Sequence, residues 1–436
     1  MPVQIVVLGA GPGGLAAAHE GIRHGHNVTL VDPEGLGGNA LKHSLIPSKV
    51  LIQAAETLNR AGEWGAPWDA SSWQAIMEVQ TRLINDAERD AKRLLSQARV
   101  IAEFAHLASA RHVVTDTSHT VLEADVIVIA IGSRQRLIPG MKPDGRRVLL
   151  PRIFHTLSAL PDRLAIIGGG ATGLESASLF SQFGVKVDLF VDQDRLLPQY
   201  DPEIAAQFAG LLQERGVTIH WRRRIQSLEE AGDDGVRLRW IGEGAGEEVV
   251  PRVLLATGRM PMWEREPLER LGFSLDAAGF FEVSSAGRTS VENVYAVGDA
   301  ASGLQLASRA WRGGQTAIRD WLGLTESSQT GPLVEAIYTR PELARVGIST
   351  SQRYVAEINR PWLYQSVLTA GQASRLVLYA HEDGRVAGVE ALGPQAAEVV
   401  STVAMAMHAG MAVHQLVSMG AASPTSAEWL GTLMPE

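Results

Sequence analysis

The chain of 436 residues contains no cysteine, which excludes disulfide bonds, thiolate metal sites and cysteine nucleophiles. Positive charge is also scarce: 39 Lys and Arg stand against 48 Asp and Glu, a formal net charge of -9. With no long basic tract to offset it, this balance disfavours nucleic acid and anionic membrane as partners. No apolar run reaches the roughly 18 residues that a membrane-spanning helix needs.

The length allows two or three domains with a substantial buried core. The first predicted strand starts almost at the N-terminus, so no signal peptide is visible. We therefore expect a cytoplasmic globular protein with no membrane span, and we predict no metal site.

Near the N-terminus, a glycine-rich turn stands between a predicted buried strand, Val3 to Leu8, and an alanine-rich helix. A second strand follows and ends at an acidic residue, which is the full context of a dinucleotide-binding unit. Gly9 permits the tight turn, Gly11 lets the backbone approach a pyrophosphate, and Gly14 lets helix and strand pack closely. Asp32 can accept hydrogen bonds from a ribose.

A second complete unit of the same kind begins after the predicted strand 164–167. Its glycines are Gly168, Gly170 and Gly173, and a helix and a further strand, 185–191, follow. Two such units in one chain predict a duplicated nucleotide fold, with one copy inserted in the other. This pairing is the most specific functional signal in the sequence.

Residues 37–49 read Gly-Gly-Asn-Ala-Leu-Lys-His-Ser-Leu-Ile-Pro-Ser-Lys. The stretch resembles the redox-active loop of the flavoprotein disulfide reductases, whose members include lipoamide dehydrogenase. Ala40 and Leu45 stand where that family has its two cysteines. The resemblance covers nearly the whole chain and implies that the first unit holds FAD and the second NADH or NADPH.

The resemblance assigns a role beside the flavin to Lys49, paired with Glu175 from the second unit, and we predict these two as the catalytic residues. A cation there would favour negative charge on the reduced flavin. The alternatives are a solvated lysine and a carboxylate that only complements a helix dipole. Lys42 and His43, between the lost cysteine positions, either reach the flavin or face the surface; we favour the surface.

Further motifs match the family's contacts with its cofactors. Gly38, Gly132 and Asp299 are predicted to bind FAD, as is Ala307 at the start of a helix whose dipole faces the flavin. Gly258 closes the second unit within Ala-Thr-Gly-Arg. The long pattern from Ala70 to Ala102 predicts one amphipathic helix with no chemistry.

Coenzyme choice is determined at the end of the second strand of the second unit. Asp192 there would bind a ribose and repel a 2′-phosphate, which favours NADH over NADPH. The run Arg222 to Arg224 could meet a phosphate, but we favour the interpretation that it lies on a solvated strand edge. Ala171 replaces a tyrosine that covers the nicotinamide pocket in glutathione reductase, so that face is open.

The C-terminal part resembles the family's dimerisation domain and implies a homodimer. Its last motif is Ser423-Pro-Thr-Ser-Ala-Glu428, where disulfide reductases have His-Pro-Thr and a later Glu. Both cysteines and the histidine that serves them are therefore replaced together.

We predict an α/β fold with two Rossmann-like dinucleotide-binding domains and a C-terminal α+β dimerisation domain. The expected boundaries are 1–150 with 260–330 for the FAD domain, 151–259 for the NAD(P) domain, and 331–436 for the dimerisation domain. The predicted function is an FAD-dependent NAD(P)H dehydrogenase that passes electrons to a diffusible acceptor, a quinone, without a disulfide relay. This is similar to the cysteine-less, lipoamide dehydrogenase-like NAD(P)H:quinone reductases. The alternatives are a non-catalytic FAD- and NAD-binding scaffold or sensor, and an NADH oxidase that uses oxygen.

Overall fold

The secondary structure up to residue 135 surrounds the first glycine-rich turn. The computed structural model describes residues 1–66, 70–140, 142–153, 157–232, 235–324, 331–350, 352–357 and 374–435. The helices of this first part are α1 (Pro12–Arg23), α2 (Gly38–Lys42), α3 (Leu45–Glu63) and α4 (Ala70–Leu94). Its strands are β1 (Gln4–Leu8), β2 (Asn27–Val31), β3 (Arg99–Ile101), β4 (Ala105–Ser109), β5 (His112–Thr115), β6 (Val121–Glu123), β7 (Val126–Ile129) and β8 (Ser133–Gln135).

The middle of the chain repeats the strand–turn–helix arrangement around the second glycine-rich turn. Its helices are α5 (Ala171–Gln182) and α6 (Pro202–Glu214). Its strands are β9 (Val148–Leu149), β10 (Arg163–Ile167), β11 (Lys186–Phe190), β12 (Val217–His220), β13 (Arg223–Ala231), β14 (Gly235–Gly242), β15 (Gly246–Val250), β16 (Val253–Leu255) and β17 (Arg259–Pro261).

The remaining elements return to the first sheet and then build the C-terminal one. They are α7 (Arg265–Arg270), β18 (Val294–Ala296), α8 (Ala307–Trp321), β19 (Glu335–Ile337), β20 (Glu342–Gly347), β21 (Gln352–Glu357), β22 (Arg375–Ala380), β23 (Val386–Gly393), α9 (Ala396–His408), α10 (Val413–Val417) and β24 (Met434–Pro435). Short 3-10 turns occupy Pro151–Ile153, Gly298–Ala300 and Ser426–Thr432.

Two five-stranded parallel sheets carry the two glycine turns. The first has the order β18-β7-β1-β2-β3 and the second β12-β11-β10-β16-β9. Because β18 pairs with β7, the chain re-enters the first sheet after it has built the second. The central strands β1, β7 and β10 are almost wholly buried runs of Val, Ile, Leu and Ala, as strands covered on both faces must be.

The C-terminal sheet is antiparallel, with the order β19-β20-β23-β22-β21-β24. All eight residues of β23 are buried. Helix α9 packs its Val399, Val400 and Val403 into the same core as this sheet. This is the sheet-plus-helix unit that the sequence predicted for the C-terminal part.

The prediction of one helix from Ala70 to Ala102 was too long. Helix α4 ends at Leu94, and residues 99–101 form β3, the edge strand of the first sheet. The apolar positions there follow a strand's register against β2 rather than a helical period. The sequence also predicts a loop from Trp64 to Trp73; part of this stretch lies outside the described residues, and α4 has begun by Ala70. Among the described residues, no helix is long and apolar enough to cross a membrane.

Candidate active site

One cleft of about 2280 Å³ receives residues from both glycine turns and from the start of α3. It lies at the carboxyl ends of β1, β2, β10 and β11, which is where open α/β sheets bind ligands. We call it the central cleft. Every residue predicted to bind a cofactor lines it, except Gly14 and Gly173.

The first turn shows why three glycines are needed. Gly9 has φ +97°, and a Cβ there would lie 2.4 Å from the carbonyl oxygen of Ala130. A Cβ on Gly14 would lie 1.8 Å from the carbonyl oxygen of Gly9, so Gly14 serves the packing of α1 on β1. A Cβ on Gly11 would meet no protein atom within 4 Å. Gly11 therefore leaves open space that a ligand can enter at the start of α1, where backbone N–H groups favour a phosphate.

The second turn repeats this geometry. Gly168 has φ +117°, with the Ala256 carbonyl oxygen 2.2 Å from a built Cβ, and Gly173 packs against the Gly168 carbonyl at 1.9 Å. Gly170 again has no atom within 4 Å of its Cβ position. The chain therefore holds two cradles of the same shape, each at a helix N-terminus.

Asp32 is held at the end of β2 by two backbone donors. The amides of Ala10 and Glu34 donate to its two carboxylate oxygens, each at 2.8 Å. Burial raises the pKa of Asp32, against these two hydrogen bonds, which lower it. Asp32 lines the central cleft beside the first turn, as a ribose-binding carboxylate would.

Lys49 and Glu175 form an ion pair across the boundary between the two sheets. The Lys49 Nζ donates to both carboxylate oxygens of Glu175, each at 2.9 Å. The backbone N–H of Tyr338 also donates to Glu175 at 2.9 Å, and the Lys49 ammonium lies 4.3 Å from the centroid of the Tyr338 ring. The side chains are 29 % and 19 % exposed, so the pair is accessible from the cleft without being fully solvated. The sequence predicted the pair but assigned no role to Tyr338.

A second polar cluster surrounds Asp299, at the 3-10 turn after β18. The Ser133 hydroxyl donates to the Asp299 carboxylate at 3.0 Å. The Arg259 Nε donates to that hydroxyl at 2.6 Å and lies 3.4 Å from the same carboxylate oxygen. Burial lowers the pKa of Arg259. Ser133 and Arg259 were missed at the sequence level, although each directly follows a glycine, Gly132 and Gly258, that was assigned to a cofactor.

The loop of residues 37–49, which lacks the family's two cysteines, lies against the central cleft. Ala40 and Leu45 both line it, and Leu45 is 39 % exposed. Two of the polar residues between them contact Glu34: His43 Nε2 lies 2.8 Å from its carboxylate, and Lys42 Nζ donates to its carbonyl. Neither Lys42 nor His43 lines the cleft. Both positions of the replaced cysteines therefore face the candidate site, together with the polar residues Asn39 and Ser44.

Ser423, in the position of the family's histidine, does not line the cleft of its own chain. Close to it in the chain, Thr425 and Glu428 form a capping box at the 3-10 turn, with the Thr425 amide donating to the Glu428 carboxylate at 3.2 Å.

The geometry gives two parallel sheets, each with a glycine-rich turn of the dinucleotide-binding type, and comparison with known families identifies the class of protein. Residues 3–314 match the pyridine nucleotide-disulphide oxidoreductase family, and residues 334–434 match its dimerisation domain. The chain belongs to this family, whose members use FAD and NAD(P)H, and it is a member without cysteine. The open cradles at Gly11 and Gly170 fit two pyrophosphate-bearing cofactors.

Individual relatives have two different activities. The chain is 28 % identical to a dihydrolipoyl dehydrogenase of Bacillus subtilis, over 98 % of this chain and 97 % of that one. It is 29 % identical to an NAD(P)H dehydrogenase (quinone) of Mycobacterium tuberculosis, over 98 % of this chain and 92 % of that one. The crystal structure of LpdA from Mycobacterium tuberculosis superposes with a TM-score of 0.87 at 27 % identity, covering 99 % of this chain and 98 % of that one.

Proposed function

We propose that this chain is an FAD-dependent NAD(P)H dehydrogenase that passes electrons from a nicotinamide through the flavin to a diffusible quinone, with no disulfide relay. One observation carries the proposal. The central cleft joins both nucleotide cradles at the Lys49–Glu175 pair, and the two positions where the family has cysteines face this cleft and hold Ala40 and Leu45.

The chemistry of the site follows from these residues. FAD, when bound, supplies the ability to accept a hydride and to release two electrons. Glu175 holds Lys49 in place through two hydrogen bonds, and Tyr338 fixes Glu175 through its backbone N–H. A positioned ammonium group stabilises negative charge that develops beside it on reduction. Ala40 and Leu45 offer an apolar surface against which a flat acceptor can lie.

The relatives alone do not decide between acceptors, because dihydrolipoyl dehydrogenases and a quinone dehydrogenase match at nearly equal identity. The residues favour the quinone. Oxidation of a dithiol by thiol–disulfide exchange needs a disulfide on the enzyme for the substrate thiolate to attack, and the chain has no cysteine to form one.

The proposal includes the domain assignment and the assembly. Residues 1–150 and 260–330 would bind FAD, 151–259 the nicotinamide dinucleotide, and 331–436 would join two copies in a homodimer. Within it, Lys49 and Glu175 are the proposed catalytic residues, while Gly9, Gly14, Gly168 and Gly173 shape the two turns.

Stopped-flow mixing tests the proposal. Anaerobic NADH should bleach the flavin absorbance of the purified protein, and 2-methyl-1,4-naphthoquinone should restore it faster than oxygen does. Dihydrolipoamide should not reduce NAD⁺. Lys49→Met should slow the bleaching, while Lys92→Met, on α4 and paired with Glu88, serves as the matched control.

Three results would contradict this function. Absence of bleaching would indicate a non-catalytic flavoprotein. Reoxidation by oxygen with no gain from the quinone would indicate an oxidase. Steady turnover with dihydrolipoamide would restore the disulfide-reductase assignment.

A further inference from the structure

Three consecutive arginines, Arg222 to Arg224, follow shortly after β12, the neighbour of β11, which ends two residues before Asp192. The carbonyl of Val191 accepts from the Arg223 amide at 2.8 Å, and the carbonyl of Gln193 accepts from the Arg222 amide at 3.1 Å. The two residues that flank Asp192 are thus bonded directly to the arginine run. This places the run beside the carboxylate position that reads the adenosine ribose in units of this kind.

The three arginines differ in where they lie. Arg223 and Arg224 line the central cleft together with Asp192, whereas Arg222 does not. The Arg223 guanidinium is held in place, since it lies 3.0 Å from His220 Nδ1 and 5.0 Å from the centroid of a Trp240 ring. Within the part of the chain that the structure describes, the Arg224 side chain has neither a hydrogen bond nor an ion pair.

The balance of charge at this end of the cleft is positive. Beside the segment that carries Asp192, the cleft is lined by the two arginines Arg223 and Arg224 as well as by Asp192 itself. A guanidinium binds phosphate oxygens through parallel N–H donors, and a dianionic phosphate gains more from it than a neutral hydroxyl does. A carboxylate accepts from ribose hydroxyls, which serves the coenzyme that lacks the phosphate.

We propose that Arg224, supported by Arg223, binds the 2′-phosphate of NADPH, while Asp192 serves the ribose of NADH, so that this one site takes both coenzymes. This rests on the proposed function and extends it to coenzyme recognition. It revises the expectation drawn from Asp192 alone, because the structure puts Arg223 and Arg224 in the cleft wall and leaves only Arg222 outside it.

Calorimetric titration of the FAD-loaded protein tests the site without any turnover. The probes are adenosine 2′,5′-bisphosphate and adenosine 5′-monophosphate, which differ only in the 2′-phosphate, and bound FAD keeps both out of the first unit. The wild-type protein should bind the bisphosphate at least tenfold more tightly. Arg224→Ala should remove most of this preference for the bisphosphate and leave the affinity for the monophosphate unchanged. Asp192→Asn should increase the preference for the bisphosphate.

Arg222→Ala is the matched control, because it removes the same charge from the adjacent position outside the cleft and should alter neither affinity by more than twofold. Equal binding of the two probes by the wild-type protein would overturn the proposal. An equal loss of affinity for the bisphosphate in Arg222→Ala and Arg224→Ala would also overturn the proposal, since an equal loss indicates general attraction between charges and not a specific contact. Since neither probe reports on flavin reduction, failure here leaves the dehydrogenase function intact, and failure of that function leaves this result interpretable.

Discussion

Replacement of Gly11 by alanine should impair ligand binding at the first nucleotide site alone, and replacement of Gly170 by alanine should impair it at the second site alone. Both residues precede a helix with extended backbone, φ −72° and ψ −174° for Gly11, and φ −80° and ψ 179° for Gly170. Alanine adopts these angles without strain. Among the described residues, no atom beyond the glycine and its chain neighbours lies within 4 Å of either new Cβ, so the fold itself meets no clash.

The substitution therefore weakens ligand binding and leaves the stability of the fold unchanged. A methyl group in the cradle keeps a pyrophosphate from the backbone N–H groups at the start of the helix. Loss of two hydrogen bonds to a charged group, at about 1.5 kcal/mol each, weakens binding by about 3 kcal/mol. That corresponds to a fall in affinity of roughly 150-fold.

We expect Gly11→Ala to be purified without the yellow flavin colour but with the thermal midpoint of wild-type apoprotein. Gly170→Ala should retain FAD, while its dissociation constant for NADH rises roughly 150-fold. Flavin absorbance relative to protein absorbance measures the first effect, and NADH titration of the flavin absorbance measures the second.

Gly62→Ala is the control, since Gly62 lies in α3 with no atom within 4 Å of its Cβ position and does not line the cleft. It should retain both cofactors. Wild-type flavin content in Gly11→Ala would refute the reasoning. Loss of FAD in Gly170→Ala would show that the two units are assigned in the wrong order.

Three further predictions concern charged groups. Glu175→Gln should lower the thermal midpoint. A double-mutant cycle with Lys49→Met should give a coupling free energy of about 1 kcal/mol, the upper range for an ion pair that is still partly exposed. A coupling free energy of zero would contradict the ion pair. The backbone amides of residues 146–148 donate to Asp144 and hold its pKa at about 2. The stability that the Asp144 carboxylate contributes is therefore present above pH 4 and is lost as pH falls towards 2. The difference in thermal midpoint between wild type and Asp144→Asn should shrink over that interval, and a constant difference would contradict this account. Arg259→Ala should raise the FAD dissociation rate, because it removes the cation beside Asp299 and a donor to Ser133, and unchanged flavin release on dilution would contradict this.

Part of this protein follows from short stretches of sequence. The turns at Gly9 and Gly168 were predictable because each depends on a positive φ and on a close approach that only glycine allows. The parallel strands around them were predictable because strands buried on both faces are continuous apolar runs. The end of α4 was not, since an apolar residue in β3 satisfies a helical period until the strand's partner is known.

The arrangement of the charged groups depends on the tertiary structure. Lys49 and Glu175 are 126 residues apart and Ser133 and Asp299 are 166 apart, so no local rule brings them together, and only the family resemblance suggested the first pair. The amide of Tyr338 reaches Glu175 only because the C-terminal segment packs against α5. Local sequence determines backbone dihedral angles and which residues are buried, whereas contacts between distant side chains depend on how whole sheets and helices pack. That packing alone decided that Arg224 belongs to the cleft and Arg222 does not.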